Sequence, residues 1–144
     1  MRFFSCLVFQ IILISMFLST TSQSQWIQQD NKLIPTNNIG SVINFGYSVA
    51  LSTDGNTAIV GGIGDNADAG AAWIYIRNGS GMWSVQAKLI GSGATGSASQ
   101  GFSVAISANG NTAVVSGIGD DTNKGAVWVF TRSGSTWTQQ GSKL

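Results

Sequence analysis

The sequence contains no histidine and no glutamate, and its one cysteine, Cys6, lies in an apolar leading segment. Histidine, glutamate and cysteine are the residue types that most often act as general bases or as activated nucleophiles. A serine nucleophile would therefore lack its usual base, and the six acidic residues are all aspartates. These absences predict a protein that is not an enzyme.

Charge is also scarce. Only 9% of the residues are charged, and seven Lys and Arg residues nearly balance six acidic ones. A chain with so little net charge has no field to attract nucleic acid or an anionic membrane surface. We therefore expect no nucleic-acid partner.

The first residues differ in character from the rest of the chain. Arg2 gives a positive start, residues 3–18 are almost wholly apolar, and small polar residues follow up to Ser24. This order is typical of a secretory signal peptide, here residues 1–24, with cleavage after Ser22 or Ser24. A membrane anchor is the alternative, but the apolar run is short for a span of about 20 residues. The sequence thus predicts a secreted, extracellular protein without a stable membrane span and, after cleavage, without cysteine.

Residues 45–89 recur, with substitutions, as residues 100–144. Each copy divides into four short apolar runs, and the first two runs are joined by Asp54-Gly55 in one copy and by Asn109-Gly110 in the other. Asp-Gly and Asn-Gly are strong signals for tight hairpins. Four antiparallel strands in about 55 residues, repeated along a chain, are typical of β-propeller blades.

The predicted fold is all-β. It is a partial β-propeller of two four-stranded antiparallel blades plus one leading strand, after an N-terminal signal-peptide helix, and no other helix is expected. The predicted segments are the signal peptide (1–24), a leading outer strand with its linker (26–44), blade 1 (45–89), a linker (90–99) and blade 2 (100–144).

Two further expectations concern side chains. The second and third strands of each copy are continuous apolar runs, which predicts burial on both faces, with Trp73 and Trp128 filling the space between stacked sheets. Lys88 alternates with apolar residues in the fourth strand, so we expect it on the solvated side of an edge strand.

Three motifs of the first copy carry a resemblance to a known family. They are residues 45–50 (FGYSVA), 55–62 (GNTAIVGG) and 70–75 (GAAWIY), and their counterparts lie at 101–105, 110–117 and 125–130. The chain from residue 26 to residue 144 resembles the FG-GAP repeats of integrin-α-like β-propellers, although Gln100 replaces the phenylalanine in the second copy. The resemblance implies adhesion or binding, with an extracellular protein or a glycan as the partner.

The resemblance raises the question of calcium, because many family members carry an Asp-rich loop between the first and second strands. Here that loop is reduced to residues 52–56 and 107–111, with one carboxylate or none. Ca²⁺ needs six to eight converging oxygens, so we expect no cofactor. Weak cation candidates remain in the next loop of each copy, namely Asp65, Asp68, Asp120 and Asp121. The favoured interpretation is that these side chains accept backbone N–H groups in turns.

Two other motifs have a local meaning. Asn78-Gly79-Ser80 is a glycosylation sequon in a predicted surface hairpin, where Asn78 would carry a glycan in a eukaryotic host. Residues 91–96 spell G-x-G-x-x-G, but no helical pattern follows them. A phosphate-binding loop requires that helix, so we interpret the motif as a flexible linker between blades.

Propellers close with four to eight blades, and this sequence supplies two. We therefore expect an incomplete or N-terminal part of a larger propeller, or a chain that completes a ring by self-association. The leading functional hypothesis is a secreted, non-enzymatic binding or adhesion module. The alternatives are a fragment of an extracellular lectin or enzyme whose site lies on other blades, and a degraded paralogue without activity.

Overall fold

The computed structural model describes residues 27–144, so the predicted signal peptide lies outside the described residues. Eight strands form two four-stranded antiparallel sheets, each with its strands in chain order. Blade 1 contains β1 (Phe45–Leu51), β2 (Thr57–Gly62), β3 (Ala71–Arg77) and β4 (Trp83–Leu89). Blade 2 contains β5 (Gln100–Ile106), β6 (Thr112–Gly117), β7 (Ala126–Ser133) and β8 (Thr136–Gln139). The predicted all-β fold with two four-stranded blades is confirmed.

The first hairpin of each blade is closed by its own polar residues. Gly55 has a φ of 66° and Gly110 a φ of 68°, in the left-handed region that glycine adopts without strain. In blade 1 the Ser52 hydroxyl donates to Asp54 and accepts the Thr57 N–H. The Ser107 hydroxyl makes the equivalent bonds in blade 2. The turns predicted from Asp-Gly and Asn-Gly are therefore formed.

The two sheets stack face to face. We call the face that carries Trp73 in blade 1, or Trp128 in blade 2, the front face, and the opposite face the back face. The front face of blade 2 packs on the back face of blade 1, with Trp128 fully buried between the sheets as predicted. The same prediction is wrong for Trp73, which is buried beneath residues 27–44 because no sheet of the described chain covers that face. The buried cluster at this interface comprises Ile59, Ala72, Ile74, Leu89, Ala98, Ala113, Val115, Ala126, Trp128 and Phe130.

The two sheets approach most closely at their inner strands, where backbone meets backbone. A Cβ atom added to Gly61 would lie 2.1 Å from the Gly101 carbonyl oxygen. Gly101 has a φ of +90°, and its own added Cβ would lie 2.4 Å from the Ala71 carbonyl oxygen. The Ser48 hydroxyl donates to the Gly101 carbonyl at 2.7 Å. The small Ser48 side chain of β1 therefore permits the sheets to pack this closely.

The leading segment, residues 27–44, contains no strand. It crosses the front face of blade 1 instead, where the Trp73 Nε1–H donates to the Thr36 carbonyl and the Tyr75 hydroxyl donates to the Ile34 carbonyl. The predicted leading strand is thus not formed. The physical reason is that a strand needs a neighbour with which to form backbone hydrogen bonds, and no strand within residues 27–144 pairs with this segment.

Burial of the central strands differs between the blades. In blade 1 all of β2 and most of β3 are buried, as predicted. In blade 2 the residues of β6 and β7 alternate between buried and half-buried. Burial on both faces is therefore wrong for blade 2, because within residues 27–144 no sheet covers its back face.

Two helical turns, Asp65–Asp68 and Asp120–Asn123, join the second and third strands of the blades. We call them the rim turns. Their inner residues have φ and ψ values near +50° to +60°, so each rim turn is left-handed. The prediction of no helix after the signal peptide is wrong at these eight residues, because a left-handed turn leaves no apolar periodicity in the sequence. No helix of residues 27–144 has the length and apolarity needed to cross a membrane.

Gly61 offers a test of the close approach, because its backbone is not in the left-handed region and only the missing space forbids a side chain. We expect Gly61→Ala to lower the free energy of unfolding by about 1–3 kcal/mol through overpacking. Gly79→Ala is the matched control, since an added Cβ there meets nothing within 4 Å. Chemical denaturation measures both. Equal stability of the two variants would contradict backbone contact between the sheets.

Candidate functional site

The candidate cation ligands lie on the rim of the blades where the rim turns meet the linkers. Asp65 opens the first rim turn and Asp120 opens the second, at equivalent positions of the two copies. Their side chains are 0% and 1% exposed. A buried carboxylate is costly unless it is paired, so the partners of these two groups decide what they can do.

Asp65 is engaged from two directions, by a hydrogen bond at one oxygen and by a charge contact without a hydrogen bond at the other. One carboxylate oxygen, Oδ1, accepts the Ile39 N–H from the leading segment at 2.7 Å. The other, Oδ2, lies 2.6 Å from the Lys88 ammonium of β4. Lys88 also donates to the Asn37 carbonyl and lies 5.2 Å from the centre of the Trp73 ring. The charge of Asp65 is thus neutralised by an amine that the protein itself holds in place.

Asp120 repeats the arrangement. Its Oδ1 atom accepts the Thr95 N–H of the linker between the blades at 2.7 Å, and its Oδ2 atom forms an ion pair with Lys143. The hydrogen bond from Lys143, and then that from the Thr95 N–H, hold the pKa of Asp120 below its ordinary value of 3.8. In both copies one carboxylate therefore joins a rim turn, a linker and the end of a blade. We call each such set a carboxylate tie.

The other two candidates play different parts. Asp68 is exposed, and its backbone carbonyl accepts the Ser99 N–H of the linker. Asp121 pairs with Lys124 at 2.8 Å on the surface. In the described part of the chain, no three or more His, Cys, Asp or Glu side chains form a group that could hold a metal ion. Asp65 and Asp120 do accept backbone N–H groups, but the donors are Ile39 and Thr95 in the linkers and not residues of the same turns.

The ion pairs were missed by sequence reasoning. Lys88 was expected on a solvated side, but its side chain is only 13% exposed. The signal that could have revealed the pairs is the spacing, because Asp65 precedes Lys88 by the same interval that separates Asp120 from Lys143. A strand alternation alone could not distinguish a paired lysine from a solvated one.

The loop that holds calcium in many similar proteins has a different network here. Asp54 accepts from the Ser52 hydroxyl at 2.6 Å and from the backbone and side-chain N–H groups of Asn56. The Ser52 hydroxyl, and then the Asn56 N–H groups, lower the pKa of Asp54. In the second copy Asn109 replaces this carboxylate and makes the same turn. The loop closes on itself with these bonds.

The opposite rim, which we call the hairpin rim, carries the turns at residues 52–56 and 107–111 and the hairpin tips at 78–82 and 133–135. Arg77 donates to the Asn56 side chain and stacks 5.8 Å from the centre of the Trp83 ring. Arg132 donates to Asn111 and lies 5.5 Å from Trp137 in the same way. Sequence reasoning did not identify these repeated arginine clusters, although the arginine and the asparagine of each recur at the repeat spacing.

Asn78, the predicted glycosylation site, is exposed at the tip of the hairpin between β3 and β4. Its Oδ1 atom accepts the N–H groups of Ser80 and Met82. These bonds hold the amide oxygen in the turn, and the amide nitrogen is the atom that a glycan would join. The position on a surface hairpin is the one that the sequence predicts.

The G-x-G-x-x-G segment is followed by β5 and not by a helix, so it lacks the context of a phosphate-binding loop. It is also more constrained than a flexible linker. The buried Gln100 side chain accepts from the Gly91 N–H at 2.6 Å and donates to the Gly91 carbonyl at 3.0 Å. An added Cβ at Gly91 would lie 2.2 Å from the Trp128 ring. Gln100 therefore holds this linker flat against the buried tryptophan.

The second carboxylate tie can be tested by removing its charge. Asp120→Asn keeps an oxygen for the Thr95 N–H but loses the ion pair with Lys143, so we expect a loss of about 1–2 kcal/mol in the free energy of unfolding at neutral pH. Asp121→Asn, which breaks an exposed ion pair, should cost less than about 0.5 kcal/mol. Urea unfolding of both variants measures the difference, and equal losses would contradict a structural role for the buried pair.

The same tie predicts a dependence on pH. Because folding lowers the pKa of Asp120, its contribution is fully present above the ordinary value of 3.8 and is lost as the pH falls through the lower folded value. The stability gap between the wild type and Asp120→Asn should therefore be constant from pH 7 to about pH 5 and shrink below about pH 4. Urea titrations across this range measure it, and a gap that is unchanged at pH 3 would contradict the assignment.

Comparison with known proteins agrees with this architecture. No curated protein sequence gives a significant match to the chain. The FG-GAP repeat, however, matches residues 27–75 and again residues 83–130. Each match begins with the segment equivalent to β4, crosses a linker and ends at the third strand of the next blade. The two matches cover more than half of the sequence, and the chain therefore belongs to the FG-GAP repeat family.

Proposed function

We propose that the protein is a secreted, non-enzymatic module that binds an extracellular protein or a glycan. The observation that carries the proposal is how the two blades use their buried charges. Asp65 and Asp120 are both engaged in ties that hold linkers on blades, in a chain of FG-GAP repeats whose two sheets stack face to face. Such a use suits a rigid surface for recognition better than a reactive centre.

The hairpin rim is the surface we assign to binding. The opposite rim is occupied by the linkers and the carboxylate ties. The hairpin rim presents the same arginine, asparagine and tryptophan set in each blade, and Met82 at its edge is 56% exposed. Repeated polar clusters beside an exposed apolar side chain are a combination that protein and glycan partners can both use.

The test is direct binding with a matched pair of variants. Protein purified from the medium would be applied to immobilised extracellular-matrix glycoproteins and to a glycan array. We expect saturable binding that Met82→Asp weakens about tenfold, while Ile118→Asp has no effect because Ile118 lies on the other rim and is similarly exposed, at 50%. If the protein binds no immobilised glycoprotein and no arrayed glycan, the proposal is overturned. Chemical conversion of an arrayed glycan would instead favour the lectin-or-enzyme alternative.

The proposed secretion implies that the mature protein has a defined N-terminus and carries a glycan. When the full reading frame is expressed in a eukaryotic host, we expect protein in the medium that begins at Gln23 or Gln25 and carries a glycosidase-sensitive mass on Asn78. Asn78→Gln and Ser80→Ala should both lose that mass, the second while keeping the asparagine of the turn. Mass spectrometry of the intact protein measures both features. Retention in the cell with Met1 in place would contradict secretion.

A further inference from the structure

On the front face of blade 1 the part along β1 is open, although the equivalent part of blade 2 is covered. On β1 the side chains of Val49 and Leu51 are 68% and 60% exposed, while the ring of Tyr47 lies 5.1 Å from that of Phe102 in blade 2. The counterparts of Val49 and Leu51 on β5 are Val104 and Ile106, which are half-buried in the interface between the blades. Blade 1 therefore presents, without a sheet against it in the described chain, the same apolar row that blade 2 uses to bind blade 1.

The back face of blade 2 is the complementary open surface. In blade 1 the back-face residues Ile59, Ala72 and Ile74 are fully buried by blade 2. The equivalent residues of blade 2 are three valines that are only half-buried, Val114, Val127 and Val129. Small residues lie beside these valines on β5, where Ser103 and Ala105 correspond to Ser48 and Ala50 of β1. The open surface therefore resembles the blade 1 side of the interface that is already formed. Within residues 27–144 the chain thus carries both halves of its own interface, and each half is at least partly exposed.

The backbone of the open front face already has the shape found in the filled interface. Ser99 and Gly101, which lie at the contact between the blades, have φ values of 54° and 90°. Their counterparts Asn44 and Gly46 have φ values of 50° and 88° with no blade against them. This conformation therefore comes from the repeat itself and does not require the neighbour, so docking would cost little reorganisation.

We propose that copies of this chain associate head to tail, with the front face of blade 1 in one copy packed on the back face of blade 2 in another. This contact reuses an interface that the chain already forms internally, and both surfaces are apolar. Because the contact joins unlike faces, it repeats until a ring closes or a filament grows. The inference does not depend on the proposed binding function.

One position limits the strength of this contact. The counterpart of Gly61 in blade 2 is Ser116, whose hydroxyl accepts the Ser103 N–H. At the filled interface a Cβ on Gly61 would lie 2.1 Å from the Gly101 carbonyl oxygen, so Ser116 would press on Gly46 of the next copy. The two copies must shift slightly there. Association should therefore be weak in the natural sequence and should tighten when Ser116 is replaced by glycine.

The first experiment measures mass against concentration. The full reading frame is expressed in a secreting host, and the purified protein is followed by sedimentation velocity from low to high micromolar concentration. We expect reversible association that Ser116→Gly strengthens about tenfold and that Val49→Asp or Val129→Asp abolishes. Met82→Asp, which lies on the hairpin rim, should leave it unchanged. A monomer at every concentration in both the wild type and Ser116→Gly would overturn the proposal.

The second experiment tests the direction of the contact. Val49→Cys and Ala105→Cys are made in separate, differently tagged chains that also carry Cys6→Ser, and a short bis-maleimide reagent is added. Head-to-tail packing predicts a cross-linked heterodimer when the two variants are mixed, and no cross-link in either variant alone. Ala50→Cys with Val104→Cys in one chain is the positive control, because these are the equivalent positions of the internal interface. Homodimers of one variant alone would show like faces meeting and would overturn the proposal.

Discussion

The fold depends on contact between the backbones of the two sheets at Gly61 and Gly101. With no side chain between them, the inner strands approach until the Gly101 carbonyl lies where a Cβ of residue 61 would be. The outer strands β4 and β8 scarcely meet, so the sheets diverge outward. Larger side chains then fill the widening gap, and Trp128 is the largest of them. The positions of the small and large residues along each strand follow from this wedge.

The carboxylate ties fix the path of the linkers across the rim, which the packing of the two sheets does not determine. Apolar packing alone does not specify how a linker crosses the rim, because it is not directional. Asp65 and Asp120 supply direction, since each accepts one linker N–H and pairs with one lysine from the far end of its blade. We interpret these buried pairs as contributing more to a specific arrangement of linker and blade than to net stability, because desolvation offsets much of the attraction.

The sequence could predict what depends on neighbours close along the chain, and could not predict what depends on neighbours in space. Asp54-Gly55 indicated its hairpin because the turn is formed by its own residues. The left-handed rim turns were not predicted, since alanine and threonine rarely adopt positive φ, and Ala67 and Thr122 both do so here. The sequence predicts a solvated Lys88 because its partner Asp65 lies in a loop that is distant along the chain. The unequal burial of the two blades escaped as well, because identical patterns meet different surroundings at the two ends of the stack.

The offset between repeat and blade shows which unit the chain is built from. Each family match begins at the segment equivalent to β4 and ends at the third strand of the next blade. Within that span the linker covers the front-face tryptophan, since Thr36 accepts from Trp73 and Ser92 accepts from Trp128. A repeat therefore contains a tryptophan together with its own cover, while its first segment completes the sheet before it. Because the junction between blade 1 and blade 2 lies inside the second repeat, these two blades are joined covalently across the surface where they pack.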